Sequence, residues 1–235
     1  MPLSASQAVQ DYLKAICLLE DEAGARDDEV QISTKALSRR LEVSAASATN
    51  MLKKLDAMGL VSHAPYRGAA LTPAGRRIAL EVIRHHRLIE AYLADALGVP
   101  WDEVHDEAEI LEHVLSEGLE DRISARLGHP TSDPHGHPIP PRDGEVSPSR
   151  GVAMSDLPAG ASATVLEVSD RDPELLRYLG ELGLYPGAAV RVVDVAPFGG
   201  PLTVTVDAVT RALGREVAAS VLVSPERSAD SRARS

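Results

Sequence analysis

Along the first hundred residues the spacing of apolar positions changes several times, and each change marks an element. Tyr12, Leu13, Ile16 and Leu19 fall on one face of a helix over residues 9–20, the three-to-four spacing of a half-buried helix. The polar run at 21–29 ends it, and Val30-Gln31-Ile32 reads as a very short strand. Ser33 or Thr34 can cap a helix carrying Ala36, Leu37 and Leu41, and Ser44 can cap another over residues 45–58. Met51, Leu52, Leu55 and Met58 turn inward from that helix, and Gly59 suits its left-handed end. Residues 60–63 and 69–71, joined by a turn at 64–68, read as a β-hairpin. Thr72-Pro73 opens a long helix to about residue 97. Helix, turn, helix and hairpin in this order predict a winged helix-turn-helix whose second motif helix enters the DNA major groove. The competing reading is a helical domain that does not bind DNA.

A further helical stretch covers residues 101–127, after Gly98-Val99-Pro100. Leu88, Ile89, Tyr92, Leu93, Leu97, Leu111, Val114, Leu115, Leu119 and Ile123 exceed what a small reading domain needs for its core. They fit a dimer interface or an extended monomeric core. Residues 129–150 hold six prolines and little periodicity, so they read as a linker, with His129, His135 and His137 in irregular loop. Apolar β-type runs follow at 163–168, 189–195, 202–206 and 217–223, around a helix at 173–182. They predict a small SH3-like barrel. The expected fold is therefore mainly α with a C-terminal β domain. Its parts are a winged helix-turn-helix at 1–75, a helical metal-binding and dimerisation domain at 76–128, the linker at 129–150, the SH3-like domain at 151–224 and a disordered tail at 225–235.

Composition changes this picture only when divided by segment. The chain has 235 residues, 44% of them apolar, and a net charge of −11. A single cysteine, Cys17, excludes an internal disulfide framework and any four-cysteine metal site. No apolar run approaches the roughly 20 residues that span a bilayer, and no leader opens the chain, so a cytoplasmic protein without a membrane partner is expected. The acidic average on its own discourages nucleic acid as a partner. Residues 33–77, however, carry eight basic side chains against Glu42 and Asp56, a net +6, whereas residues 78–128 carry twelve acids against four arginines, a net −8. Because salt screens charges beyond about 8 Å, a local basic surface can still dock on phosphates.

The acidic segment holds the candidate chemistry. His86 and Glu90 are four apart on one helix; His105, Glu109, Glu112 and His113 follow at i, i+4, i+7 and i+8. Each set shares a helix face, and antiparallel helices would bring the two stripes together as one or two divalent-metal sites. An exposed acidic surface laced with salt bridges to Arg84, Arg87 and Arg122 is the plainer alternative. The Glu-x-x-Glu-His string at 109–113 lacks the base glutamate flanked by histidines of a zinc hydrolase. A metal-dependent hydrolase is thus the weaker reading beside a regulatory metal joined to a DNA reader, and no enzymatic activity is expected.

Several strings carry a family likeness: Gln10-Asp11-Tyr12-Leu13-Lys14, the helix-turn-helix at 34–59, His85-His86-Arg87-Leu88-Ile89-Glu90, Val104-His105-Asp106-Glu107-Ala108-Glu109, Glu112-His113, and Asp133-Pro134-His135-Gly136-His137-Pro138-Ile139-Pro140. Over about residues 5–224 the chain resembles the diphtheria toxin repressor family of metal-dependent transcriptional repressors, most nearly its manganese transport regulator branch in three-domain form. The resemblance implies two metal sites per subunit. One comprises Asp11, Glu109, Glu112 and His113, with Asp11 and Glu109 standing where iron-type relatives carry methionine and cysteine. Exchanging sulfur for carboxylate donors hardens the site toward Mn2+, with Fe2+ the alternative. The second comprises His86, Glu90 and His105, completed from the stretch at 170–175 by Asp172, or by Glu174 in its place, since Leu175 falls where a polar donor is expected. Lys14 stands where short two-domain manganese regulators have glutamate, so their paired-metal geometry does not transfer. Ser44, Ala46, Ser47 and Asn50 lie where family members face bases and phosphates, while Lys53, Lys54, Arg39, Tyr66 and Arg67 would position phosphates. The implied function is a manganese-dependent repressor that binds double-stranded operator DNA as a metal-activated homodimer, with one or two dimers per operator, and controls genes for metal uptake.

Overall fold

The computed structural model describes residues 5–23, 31–64, 67–142 and 151–225. They divide into two units: Met1–Ile89, Ala108–His129 and Ile139–Val146 form the first, and Glu90–Glu107, Pro130–Pro138 and Ser147–Ser235 the second.

The first unit starts with α1 (Gln7–Glu22), whose Val9, Leu13, Ile16 and Cys17 are buried. Helix α2 (Thr34–Arg40) is capped by Ser33, whose hydroxyl accepts from Ala36 N at 3.1 Å, and α3 (Ala45–Ala57) is capped in the same way by Ser44. These caps satisfy amides that a helix start leaves without partners. Leu60 N reaches back to the Leu55 carbonyl at 2.9 Å, with Gly59 at a φ of 70°, which closes α3 as its glycine predicted. Strands β1 (Val61–Ala64) and β2 (Gly68–Leu71) pair antiparallel, and Ile32 bridges Ala69 beside them. Val30 lies outside the described residues. Leu37, Ala48, Leu52, Leu55 and Ala69 join the α1 residues in one core. Glu20, buried near the end of α1, accepts from Leu71 N at 3.0 Å and pairs with Arg76 on α4 (Pro73–Leu97).

Two features differ from the expected pattern here. Met58, expected inside, is 48% exposed because α3 ends at Ala57 and the chain turns away. The single helix expected over 101–127 is two, α5 (Val104–Leu111) and α6 (Glu117–Arg126). Ser116 takes extended geometry between them and its hydroxyl caps α6, an option that periodicity does not show.

The second unit holds a six-stranded antiparallel sheet in the order β3-β8-β4-β5-β6-β7. The strands are β3 (Val152–Ala153), β4 (Ser162–Val168), β5 (Ala189–Val195), β6 (Leu202–Val206), β7 (Val209–Leu213) and β8 (Val221–Pro225). Helix α7 (Pro173–Glu181) packs Leu176 and Leu179 into its core beside Val165, Val192, Val204 and Val223. Residues 217–223, expected as one strand, begin instead within α8 (Arg215–Ala219), since Glu-Val-Ala-Ala suits a helical turn and buries Ala218; only the last three enter β8. Strand β7 escaped the sequence reading because four of its five residues are exposed, leaving little apolar alternation.

Loop 130–138 is also built on the second unit. A bridge joins Ser132 to Pro138, and Val168 N donates to the His135 carbonyl at 2.9 Å. Gly136 lies at a φ of 92°, and a side-chain carbon there would be driven into the Leu166 carbonyl. Only glycine permits this approach.

Candidate metal centre and nucleic-acid interface

Helix α3 buries Ala48, Leu52 and Leu55, which turns Ala46, Ser47, Asn50, Lys53 and Lys54 outward. The Ser44 hydroxyl accepts from Ser47 N at 3.1 Å and lies 2.9 Å from the Ser47 hydroxyl, so both are held at the exposed, positively polarised start of the helix. Arg39 on α2 and Arg67 beside β2 are also exposed. Tyr66 lies outside the described residues.

The first donor cluster joins α1 to the end of α5 within the first unit. Donor atoms of Asp11, Glu112 and His113 lie within 4.8 Å of one another. His113 Nε2 is 3.0 Å from Asp11 Oδ1 and 3.5 Å from Glu112 Oε1. Both His113 Nε2 and Glu112 Oε1 are buried and make no hydrogen bond among the described residues. On its other side, His113 Nδ1 donates to the Gln10 side-chain carbonyl at 2.6 Å, while the Gln10 amide donates to the Ala5 carbonyl at 3.0 Å. That chain puts the ring proton on Nδ1 and leaves the Nε2 lone pair aimed at the two carboxylates. Burial raises the Asp11 carboxyl above its ordinary value; His113 opposes the shift, and Glu112 and Glu109 add to it. Beside these atoms, Lys14 Nζ donates to Glu109 Oε1 and Glu112 Oε2, each at 2.7 Å, and lies 3.1 Å from His86 Nδ1. His86 Nδ1 is in turn 2.6 Å from Glu112 Oε2.

The second cluster lies within the second unit. Donor atoms of Glu90, His105 and Asp170 lie within 4.8 Å of one another, as do those of Asp133, His135 and His137. His105 Nδ1 is 3.3 Å from Glu90 Oε1 and 3.9 Å from Asp170 Oδ2; His137 Nδ1 is 3.7 Å from that same oxygen. Glu90 and His135 are fully buried. His135 Nε2 donates to the Trp101 carbonyl at 2.8 Å, and its buried Nδ1 faces Glu90 Oε2 at 3.8 Å and Asp133 Oδ1 at 3.9 Å with no hydrogen-bond partner among the described residues. Asp133 Oδ1 accepts from the His135 and His137 amides at 2.8 and 3.0 Å, which fixes the loop. Burial alone would lower His135, but Glu90, Asp133 and the Trp101 carbonyl outweigh it and raise it to about 9. Burial would raise Asp170, and the adjacent histidines, His137 foremost, instead hold its carboxyl below the ordinary value.

Of the expected second-site residues, Glu90 and His105 meet, whereas His86 sits with Lys14 and Glu112. Asp172 is exposed and caps α7, accepting from Glu174 N at 2.9 Å and Leu175 N at 3.3 Å; Glu174 is exposed in the first turn. Asp133, His135, His137 and Asp170 were not read as donors from sequence. Their signal was present in the Asp-x-His-x-His spacing, hidden by the prolines that made the segment look like linker. Both clusters suit a divalent ion, because each aims a buried nitrogen without a hydrogen bond at carboxylate oxygens and neither contains sulfur.

Comparison with known proteins agrees with this division of labour. Residues 4–69 match the iron dependent repressor N-terminal DNA binding domain, 72–141 the iron dependent repressor metal binding and dimerisation domain, and 152–225 the FeoA domain. The protein is a metal-dependent transcriptional repressor. It is 34% identical over 200 residues to the iron-dependent repressor IdeR of Mycobacterium leprae, covering 80% of this chain and 84% of that one. A solved manganese-dependent transcriptional repressor in complex with manganese superposes with a TM-score of 0.83 at 40% identity, covering 93% of this chain and 100% of the other. The manganese regulator SloR superposes with a TM-score of 0.74 at 29% identity, covering 92% and 98%. The chain belongs to the diphtheria toxin repressor family, and it carries that family's DNA-binding, dimerisation and SH3-like FeoA domains. No helix among the described residues is long and apolar enough to cross a membrane.

Proposed function

We propose that this protein is a manganese-dependent repressor that binds operator DNA as a metal-activated homodimer and controls metal-uptake genes in the cytoplasm. The observation that carries the choice of metal is the donor set. Asp11, Glu109, Glu112 and His113 at one cluster, and Glu90, His105, Asp133, His135 and Asp170 at the other, with His137 beside them, offer only nitrogen and oxygen. The single cysteine is spent elsewhere: Cys17 is buried in the core of the reading head, and burial pushes its thiol up to about 12, far from the thiolate that binds metal. Hard donors favour Mn2+ and leave Fe2+ as the competitor.

A divalent cation held by these donors would supply the positive charge that lets their carboxylates converge. Asp11 projects from α1, which shares its core with the reading helices, whereas Glu109, Glu112 and His113 lie at the end of α5. Drawing Asp11 toward Glu112 and His113 would fix the reading head against the dimerisation region, and it favours the DNA-competent state only as far as the two states differ in ion affinity. Ile110, Leu111, Val114 and Leu119 are exposed in the first unit, an apolar surface that a second subunit would cover. On DNA, Asn50 would read base edges, Ser44, Ala46 and Ser47 would allow close approach, and Arg39, Lys53, Lys54 and Arg67 would hold phosphates. Two dimers per operator fit the same reading as one.

Operator binding, titrated anaerobically with Mn2+ and with Fe2+ on the promoter of the protein's own operon or of a manganese transporter gene, tests the proposal. Activation at lower free Mn2+ than Fe2+ is expected. The reverse order would make this an iron-dependent repressor, and metal-dependent turnover without affinity for duplex DNA would make it an enzyme.

A further inference from the structure

We infer that Lys14 is a built-in cation of the first cluster: its ammonium takes the place of one metal ion, so that the cluster accepts a single divalent ion. This rests on the reading of that cluster as a metal site. Lys14 Nζ is held by three groups that would otherwise be donors, Glu109 Oε1 and Glu112 Oε2 at 2.7 Å and His86 Nδ1 at 3.1 Å. Among those donors, His86 Nδ1 lies 2.6 Å from Glu112 Oε2 and 3.9 Å from Glu109 Oε1, spacings that suit the shell of a divalent ion with bonds of about 2.0–2.6 Å. An ammonium sits where such an ion would sit.

Glu112 divides its carboxylate between two positions. Oε2 serves Lys14 and His86, while Oε1 faces His113 Nε2 at 3.5 Å and makes no hydrogen bond among the described residues. One position therefore already holds a positive charge, and the other, between Asp11, Glu112 Oε1 and His113, is shaped to receive one. Charge balance points the same way. Asp11, Glu109 and Glu112 carry three negative charges, which the ammonium and one divalent ion cancel. A second divalent ion beside an intact Lys14 would leave excess positive charge among buried groups, which a low-dielectric setting disfavours. The Lys14→Glu variant instead presents four negative charges, which two divalent ions cancel.

Lys14 thereby does two things. It ties α1 to the end of α5 before any metal arrives, and it sets the ion count at the cluster. The test loads wild type, Lys14→Glu and Lys14→Met with Mn2+ alone, counts ions per subunit by mass spectrometry after equilibrium dialysis, and records Mn2+ electron paramagnetic resonance. Lys14→Glu is expected to hold one more ion than wild type and to give an exchange-coupled pair spectrum that Asp11→Ala abolishes. Lys14→Met is expected to gain the same ion more weakly. Equal counts in wild type and in the folded variants would overturn the inference. If neither variant folds, saturated wild type decides alone: an Asp11-dependent coupled pair overturns the inference, and an isolated-ion spectrum supports it. A wild-type count unchanged by Asp11→Ala and His113→Ala together would reject the metal-site reading itself, a result distinct from an unchanged count in Lys14→Glu.

Discussion

Gln10 never reaches the carboxylates of the first cluster, yet it determines what His113 can do there. Its side-chain carbonyl takes the Nδ1 proton and its amide is anchored on the Ala5 carbonyl, so the imidazole presents a lone pair rather than a proton to Asp11 and Glu112. Groups that orient a ligand in this way are commonly worth about 10–100-fold in metal affinity. Gln10→Ala should therefore raise the Mn2+ dissociation constant of the first cluster by about that factor while leaving the thermal transition of the metal-free protein little changed. Calorimetric titration beside a melting curve checks both, and unchanged affinity would remove Gln10 from the site. At this scale sequence was informative about residue types and silent about partners. Asp11, Glu112 and His113 were legible because their spacing and likeness marked them. Lys14 could be placed only by contrast with relatives, since nothing in a linear string shows that one ammonium meets Glu109, Glu112 and His86. The same holds for His135, whose Nδ1 gains meaning only when Glu90 and Asp133 arrive from distant segments.

Among the elements, the capped and strongly periodic ones were readable: α2 and α3 behind Ser33 and Ser44, the β1–β2 hairpin, and α4 behind Thr72-Pro73. The misses share a physical cause, which is that local side-chain bonds and solvent-facing strands leave no apolar period. Ser116 divides one expected helix into α5 and α6, and β7 exposes most of its residues. Helix α6 shows how the fold replaces what periodicity lacks. Glu120, buried there, binds Arg84 at 2.5 Å and Arg142 at 2.8 Å, with His85 at 3.4 Å, while Arg142 also meets Asp121. Burial would raise the Glu120 carboxyl, but the hydrogen bonds of His85, Arg142 and Arg84 hold it well below its ordinary value of 4.5. A carboxyl depressed on folding stabilises the folded state above its unfolded value, and that contribution is lost as pH falls through and below about 4.5. Glu120→Gln should be less stable than wild type near neutrality and should lose less stability on acidification below pH 4.5. Melting curves across that range measure the difference. Parallel acid arms would show that Glu120 does not carry the depressed carboxyl.

For the molecule as a whole, the net charge of −11 conceals the division that matters. A stretch of +6 that presents α3 and the hairpin is followed by one of −8 that supplies most of the metal donors. The acidic segment needs a cation and the basic one needs phosphates, so a single chain can make the second interaction depend on the first. The family gives this arrangement its direction, repression, and the sulfur-free donor set gives it a metal. Asp11 carries the coupling because it alone of the proposed first-site ligands belongs to the reading head. Fluorescence anisotropy of labelled operator DNA with wild type and Asp11→Ala, each with and without Mn2+, at fixed salt because phosphate contacts weaken steeply with ionic strength, tests that coupling most directly. Tight binding only by manganese-loaded wild type, with Asp11→Ala folded yet unresponsive to the ion, is the expected result. Equal manganese-dependent binding by both proteins would contradict it.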